Sequence, residues 1–129
     1  MVNRMRPASR DKILKGRRGE QEAMSLLQGK GHRILERNFR AGRGEIDLIT
    51  MDGETLVFVE VKSGSAGVFG EPEDRVDIRK QRRIGRVAAA FLAGNPPGHQ
   101  DCRFDVVSVI RERGATVLRH IEDAFWLET

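Results

Sequence analysis

The chain has 129 residues, of which 39% are hydrophobic and 33% charged, with a formal net charge of +4. That length supplies one domain with a real core and is too short for two ordinary ones, the composition excludes a wholly disordered chain, and no apolar run approaches the roughly 20 residues that span a bilayer. A single cysteine, Cys102, excludes an internal disulfide, and His32, His99 and His120 stand at no zinc-ligand spacing.

Residues 1–12 are polar and basic, include Pro7 and show no apolar periodicity, so a flexible basic tail is expected ahead of a single domain at 13–129. No apolar signal region follows the basic N-terminus, which points to a cytoplasmic protein in a reducing compartment. Ala23, Met24 and Leu27 recur at helical spacing, with Ile13, Gly16 and Glu20 near the same face, and predict a first helix over about 13–29 that Gly29 and Gly31 stop. Residues 32–40 read as a strand, and Ala41-Gly42-Arg43-Gly44 turns the chain into a second strand over 45–50. Asp52-Gly53 is a strong turn signal before a third strand over 55–62, whose Leu56-Val57-Phe58-Val59-Glu60-Val61 run is apolar enough to lie centrally, covered on both faces.

Residues 63–74, with three glycines and Pro72, read as a loop. A second helix is expected over 75–93, its core stripe made by Ile84, Val87, Ala88, Phe91 and Leu92, and Asn95-Pro96-Pro97-Gly98 ends it. Two further strands follow over 103–110 and 116–121, joined across Arg113-Gly114, and Ile121, Ala124, Phe125, Trp126 and Leu127 are expected to fold back as an apolar cap. The order αβββαββ implies an α/β fold, a mixed sheet flanked by helices.

Charge is unevenly distributed. Residues 1–43 hold twelve basic and four acidic residues, a net of +8, whereas residues 44–78 hold two basic and nine acidic residues, a net of −7. Arg79, Lys80, Arg82, Arg83 and Arg86 then form a second basic run. A phosphate backbone would attract the flanks and a divalent cation the centre, although a solvated surface accounts for the same charges.

Side chains two apart on a strand point the same way, so Glu45 shares a face with Asp47, and Glu60 with Lys62. If the two strands form a hairpin, Asp47 and Glu60 converge. Glu60 interrupts a buried-looking run, where an ionised carboxylate is costly unless paired or metal-bound. A plain Glu60–Lys62 ion pair explains those two residues and leaves Asp47 unexplained. Carboxylates suit Mg2+ or Mn2+; the cation offsets phosphate charge, and a nearby ammonium can orient or help deprotonate water. Glu20, on the inward stripe of the first helix, is a fourth candidate, with a solvated or arginine-paired edge residue as its simpler reading.

Several segments resemble the YraN-like family of small bacterial proteins: Gly16-Arg17-Arg18-Gly19-Glu20, Asn38-Phe39-Arg40, Gly44-Glu45-Ile46-Asp47-Leu48-Ile49 and Val57-Phe58-Val59-Glu60-Val61-Lys62. So do Phe69-Gly70, Lys80-Gln81-Arg82-Arg83-Ile84, Arg103-Phe104-Asp105-Val106-Val107 and Ala124-Phe125. The resemblance covers nearly all of residues 15–126. It implies a restriction-endonuclease-like (PD-(D/E)XK) core, similar to the archaeal Holliday junction resolvases, that hydrolyses DNA with Mg2+ or Mn2+, on branched or distorted structures included. Carried over, Glu20, Asp47 and Glu60 are the metal ligands and Lys62 the catalytic lysine. Lys80 and Gln81 match the second-helix pattern; with Arg79, Arg82, Arg83 and Arg43 they are the candidate nucleic-acid contacts. One departure stands out: Gly64 occupies a position that is commonly Arg or Lys in relatives. A nucleic-acid-binding protein without turnover and a protein–protein adaptor, homodimeric through the apolar C-terminus, are the alternatives. Asp105 is expected to make an edge or inward polar contact, and His32 and His120 to be structural or solvated.

Overall fold

The computed structural model describes residues 7–65, 77–95 and 101–125. Helix α1 spans Pro7–Gly29, strands β1 Arg33–Ala41, β2 Gly44–Asp52 and β3 Thr55–Ser65, helix α2 Ile78–Gly94, and strands β4 Asp101–Glu112 and β5 Ala115–Phe125. The order αβββαββ is as expected.

α1 begins six residues earlier than its apolar periodicity suggests. Proline is well suited to a first helical position, where its missing N–H has no intrahelical partner to lose. Residues 1–6 of the expected tail lie outside the described residues. At the other end Gly31 adopts φ +95, and His32 N donates to the Leu27 carbonyl at 2.9 Å, which closes the helix. α2 starts at Ile78 because Asp77 is its N-cap, accepting a hydrogen bond from Lys80 N at 2.9 Å. β3 reaches Ser65, three residues into the expected loop, because its pairing with β4 continues to Ser65↔Arg111.

The five strands lie in the order β1-β2-β3-β4-β5. Neighbours are antiparallel except β3 and β4, which run parallel in continuous register from Thr55↔Asp101 to Ser65↔Arg111. α2 lies between those two strands in the chain, as a parallel connection requires. β3 is buried on both faces, and this is why it reads as a nearly unbroken apolar run. Val57 and Val59 pack toward α1 with Leu48, Val107, Val109, Ala23, Met24 and Leu27, whereas Leu56 and Phe58 pack toward α2 with Ile49, Ile84, Val87 and Phe91. Phe125, with Ile121 and Ala124 beside it, joins the α2-side core as the expected apolar cap; Trp126 and Leu127 lie outside the described residues. Among the described residues no helix is long and apolar enough to cross a membrane.

Candidate functional site

The paired part of the β2–β3 hairpin runs from Asp52↔Thr55 to Leu48↔Val59. Past that rung the side chain of Asp47 takes up the backbone's hydrogen bonding, its Oδ2 accepting from Val61 N at 2.8 Å. Asp47 and Glu60 thus face each other where the two strands part.

Two further elements reach the same place. Glu20 arrives from α1, preceded by the buried Gly19, where any Cβ would collide with Ser63 Oγ of β3. Glycine lets the helix lie close enough to the sheet to present Glu20. β1 carries a register shift between Ile34 and Glu36 and a left-handed residue, Asn38, at φ 51, a conformation asparagine tolerates better than most residues. The amide of Asn38 donates to both Glu20 oxygens at 3.1 and 3.2 Å and reaches Glu45 at 3.4 Å; Arg40 Nε donates to Glu45 at 2.8 Å. Glu20, Glu45 and Asp47 each bring a carboxylate oxygen within 4.8 Å of the others, an arrangement that can coordinate a divalent metal, and no other such group occurs among the described residues.

Glu60 stands beside this cluster and is only 5% exposed. Lys80 of α2 reaches one carboxylate oxygen, Nζ to Oε2 at 3.1 Å, while Oε1 is buried with no hydrogen-bond partner. An unsatisfied buried acceptor costs roughly 1–3 kcal/mol, and more when charged. An orphaned hard oxygen next to three clustered carboxylates is the donor chemistry that Mg2+ or Mn2+ accepts, so the residues present fit such a cation.

The electrostatics follow from crowding like charges in a dry place. Burial, with the Glu60 charge next, pushes the Asp47 carboxyl up to about 8 against the opposing hydrogen bond from Val61. Burial also raises Glu60, although Lys80 and Lys62 pull against it. Lys62 is lowered to about 8 by burial and then by its hydrogen bond and charge contact with Lys80. Burial works against the charge on Lys80 too, but the contacts with Lys62 and Glu60 outweigh it and hold Lys80 above its usual range. The pair is therefore asymmetric: Lys80 keeps its proton while Lys62 is eased toward the neutral amine.

This arrangement has relatives. Residues 19–109 match the model of the uncharacterised protein family UPF0102. A UPF0102 protein of Chlorobium chlorochromatii is 47% identical over 120 residues, covering 88% of this chain and 92% of its own; one from Nitratidesulfovibrio vulgaris is 48% identical over 111 residues, covering 85% and 82%. This chain belongs to the UPF0102 family. The family is related to the restriction-endonuclease-like superfamily, and the mixed sheet flanked by helices is consistent with that core. Among solved structures, SfsA of Pyrococcus furiosus in complex with Ca2+ matches at 19% identity and a TM-score of 0.39, over 86% of this chain and 63% of that one.

In this UPF0102 chain the fold brings Glu20, Asp47, Glu60, Lys62 and Lys80 to one place. It assigns the third position of the acidic cluster to Glu45, while Glu60 is drawn toward Lys80 on α2. Glu45 had a visible signal, its two-residue spacing from Asp47. Asn38 had none beyond its place in the Asn38-Phe39-Arg40 segment, since its role depends on a left-handed backbone within β1. Gln81 is half-buried on α2, whereas Arg79, Arg82, Arg83 and Arg43 are exposed.

A second polar cluster, unforeseen as a unit, lies among the same strands away from the site. Asp105, fully buried, accepts from Arg103 Nε at 2.9 Å, from Asp123 N at 3.1 Å, and pairs with His120 Nε2 at 2.7 Å. Lys30 Nζ meets the other His120 nitrogen at 2.7 Å, Arg103 reaches Asp52 at 3.0 Å, and His32 lies 2.8 Å from Thr50 Oγ1 with its ring 5.7 Å from that of His120. Both histidines and Asp105 are thus structural, and Asp105 makes the inward polar contact expected of it.

Proposed function

We propose that this protein is a metal-dependent nuclease that hydrolyses DNA phosphodiester bonds, branched or distorted DNA included. The observation that carries this is Glu60 Oε1, buried and unpartnered beside the Glu20–Glu45–Asp47 cluster and two lysines of unequal proton affinity. Glu20, Glu45 and Asp47, with Glu60 alongside, would hold Mg2+ or Mn2+, which when bound offsets phosphate charge and lowers the pKa of water. Lys62, whose amine is eased toward its neutral form, accepts a proton from the attacking water or orients it. Lys80 holds Glu60 in place and supplies positive charge. Arg79, Gln81, Arg82, Arg83 and Arg43 contact the nucleic acid, and the protein acts in the cytoplasm.

Flap, nicked, four-way-junction, single-stranded and linear duplex DNA incubated with the protein and Mg2+ or Mn2+ provide the test. Cleavage should require the metal, fall by about 100-fold or more in Lys62→Ala, the range expected when an acid–base group is lost, and be abolished in Asp47→Asn, which removes a ligand to the metal. Equal rates for wild type and variants, or rates indifferent to metal, would reject the proposal. Gly64 favours one second reading, a nucleic-acid-binding protein without turnover; salt-sensitive binding with no cleavage under either metal selects it.

A further inference from the structure

A concavity of about 340 Å³ opens between the β1–β2 turn and α2, lined by Ala41, Gly42, Arg43, Gly44, Arg83, Arg86, Val87 and Ala90. Its geometry is built in. Gly42 turns the chain at φ 59. A Cβ on Gly44 would press on Val87 and come within 3.1 Å of Arg83 Cγ, so glycine lets the turn sit directly against α2 and steadies the arginine stem. Arg83 and Arg86 are three residues apart on the helix and therefore neighbours on its surface. Arg43 approaches from the turn. The floor is small and apolar, from Ala41, Val87 and Ala90, which leaves the polar recognition to the guanidinium groups.

Three arginines line it, and among the described residues none of them forms an ion pair. Asp77, the α2 N-cap, is the carboxylate that feels Arg83, and it is fully exposed. No acidic residue lines the concavity among the described residues, and Glu45, next in sequence to Gly44, is engaged by Arg40 and Asn38. Neighbouring guanidinium groups without an ion-pair partner are suited to a phosphate, whose oxygens accept bidentate hydrogen bonds. The position narrows the class further. Gly44 precedes Glu45 of the acidic cluster, and Arg83 and Arg86 follow Lys80 by three and six residues on α2, or roughly 4.5 and 9 Å along its axis.

We propose that this concavity is a phosphate subsite in which Arg43, Arg83 and Arg86 grip one backbone phosphate of a nucleic-acid strand lying across the acidic cluster. The inference rests on the nuclease proposal only for what the strand presents to that cluster. Arg79 and Arg82 are not part of the subsite, and Arg86 acquires a role that its place in a basic run does not by itself suggest.

The test is binding without turnover. Fluorescein-labelled 20-base-pair duplex DNA and its single strand are titrated with the wild-type protein in EDTA across a range of salt concentrations. The same is done for Arg83→Ala/Arg86→Ala, Arg43→Ala and, as a control far from the concavity, Arg33→Ala. The double variant should bind about tenfold more weakly and lower the slope of log K against log salt by about one or more, with Arg33→Ala near wild type. A neutral methylphosphonate walked along the strand should weaken wild-type binding at one position, and that dependence should vanish in the double variant. Inorganic phosphate at millimolar concentration should compete poorly, because a strand brings further contacts; efficient competition would make the site one for free phosphate and overturn the proposal. Wild-type affinity and slope in the double variant, or a methylphosphonate effect that persists in it, would also overturn it. Absence of cleavage by the wild-type protein bears on the nuclease proposal alone, since none of these measurements uses the metal.

Discussion

Charging Asp47 costs the fold stability. Its folded pKa of about 8 stands above the ordinary carboxylate value near 4, so the group contributes a loss of stability as pH rises through that window in metal-free protein. Asp47→Asn keeps the acceptor for Val61 N and removes the charge. Without metal it should melt several degrees above wild type at pH 8 and near it at pH 4, and Mn2+ should no longer raise its Tm. A variant less stable than wild type at pH 8 would contradict this account. Lys80 has the opposite role. Lys80→Met leaves Glu60 buried without its cation and should cost about 1–3 kcal/mol in denaturant unfolding, less than the roughly 3–5 kcal/mol of breaking a fully buried pair, because Lys80 is itself 33% exposed. Glu60→Gln in the same background should recover most of the loss; an additive double variant would show that the two residues are not coupled.

Among the elements, α1 shows how a local preference is overruled. Alanine is favoured over glycine in a helix interior by about 1 kcal/mol, so Gly19→Ala ought to stabilise α1 considered alone. Against the sheet, the new Cβ meets Ser63 Oγ, and relieving that overlap moves either Ser63 or the helix that presents Glu20. Equilibrium unfolding should find Gly19→Ala less stable by about 1–3 kcal/mol, the range for overpacking, with weakened Mn2+ binding by calorimetry. Ser63→Gly should restore both. A stabilised Gly19→Ala would mean that the helix stands clear of β3. The element order, the stop at Gly31 and the two-sided burial of β3 were legible because each leaves a local mark in the chain, whereas the Asp77 cap that starts α2 at Ile78 was not. The start of α1 at Pro7 was not, since its first turns lack apolar periodicity.

Across the whole molecule, the buried cluster around Asp105 ties the end of α1 to β2, β4 and β5. Burial alone would raise Asp105, but hydrogen bonds from His120 and Arg103 outweigh it and hold the carboxyl below its usual range. A depressed carboxylate contributes stability that is present above about pH 4 and lost as pH falls through the lower folded value. His32 is lowered mainly by burial, so keeping it neutral costs stability as pH drops below about 6.5. Both effects weaken the protein on the acid side, opposite in sign to Asp47. Asp47 and Glu60, both raised, offset the His32 effect in wild type, so urea unfolding from pH 8 to 3 should show stability falling in two stages, below about 6.5 and again below about 4, in the Asp47→Asn/Glu60→Gln background. Asp105→Asn should remove the second stage and cost about 3–5 kcal/mol at neutral pH, where it leaves Arg103 and His120 without their shared partner. An unchanged acid limb would show that the cluster does not set the pH response.

The sequence by itself determined the αβββαββ order, the central place of β3 and the convergence of Asp47, Glu60 and Lys62. Those follow from two-residue alternation and a hairpin, which need no knowledge of distant contacts. Tertiary structure alone decided which carboxylates crowd together. Glu45 enters the acidic cluster beside Asn38, whose amide bonds both Glu45 and Glu20, and Glu60 turns to Lys80 because α2 packs on its face of the sheet. It likewise joined Lys30, His32, Arg103, Asp105 and His120, whose nearest contacts span up to 90 residues of chain, into one network. The physical reason is that periodicity tells which face a side chain occupies, whereas the partner it meets there depends on how two elements pack.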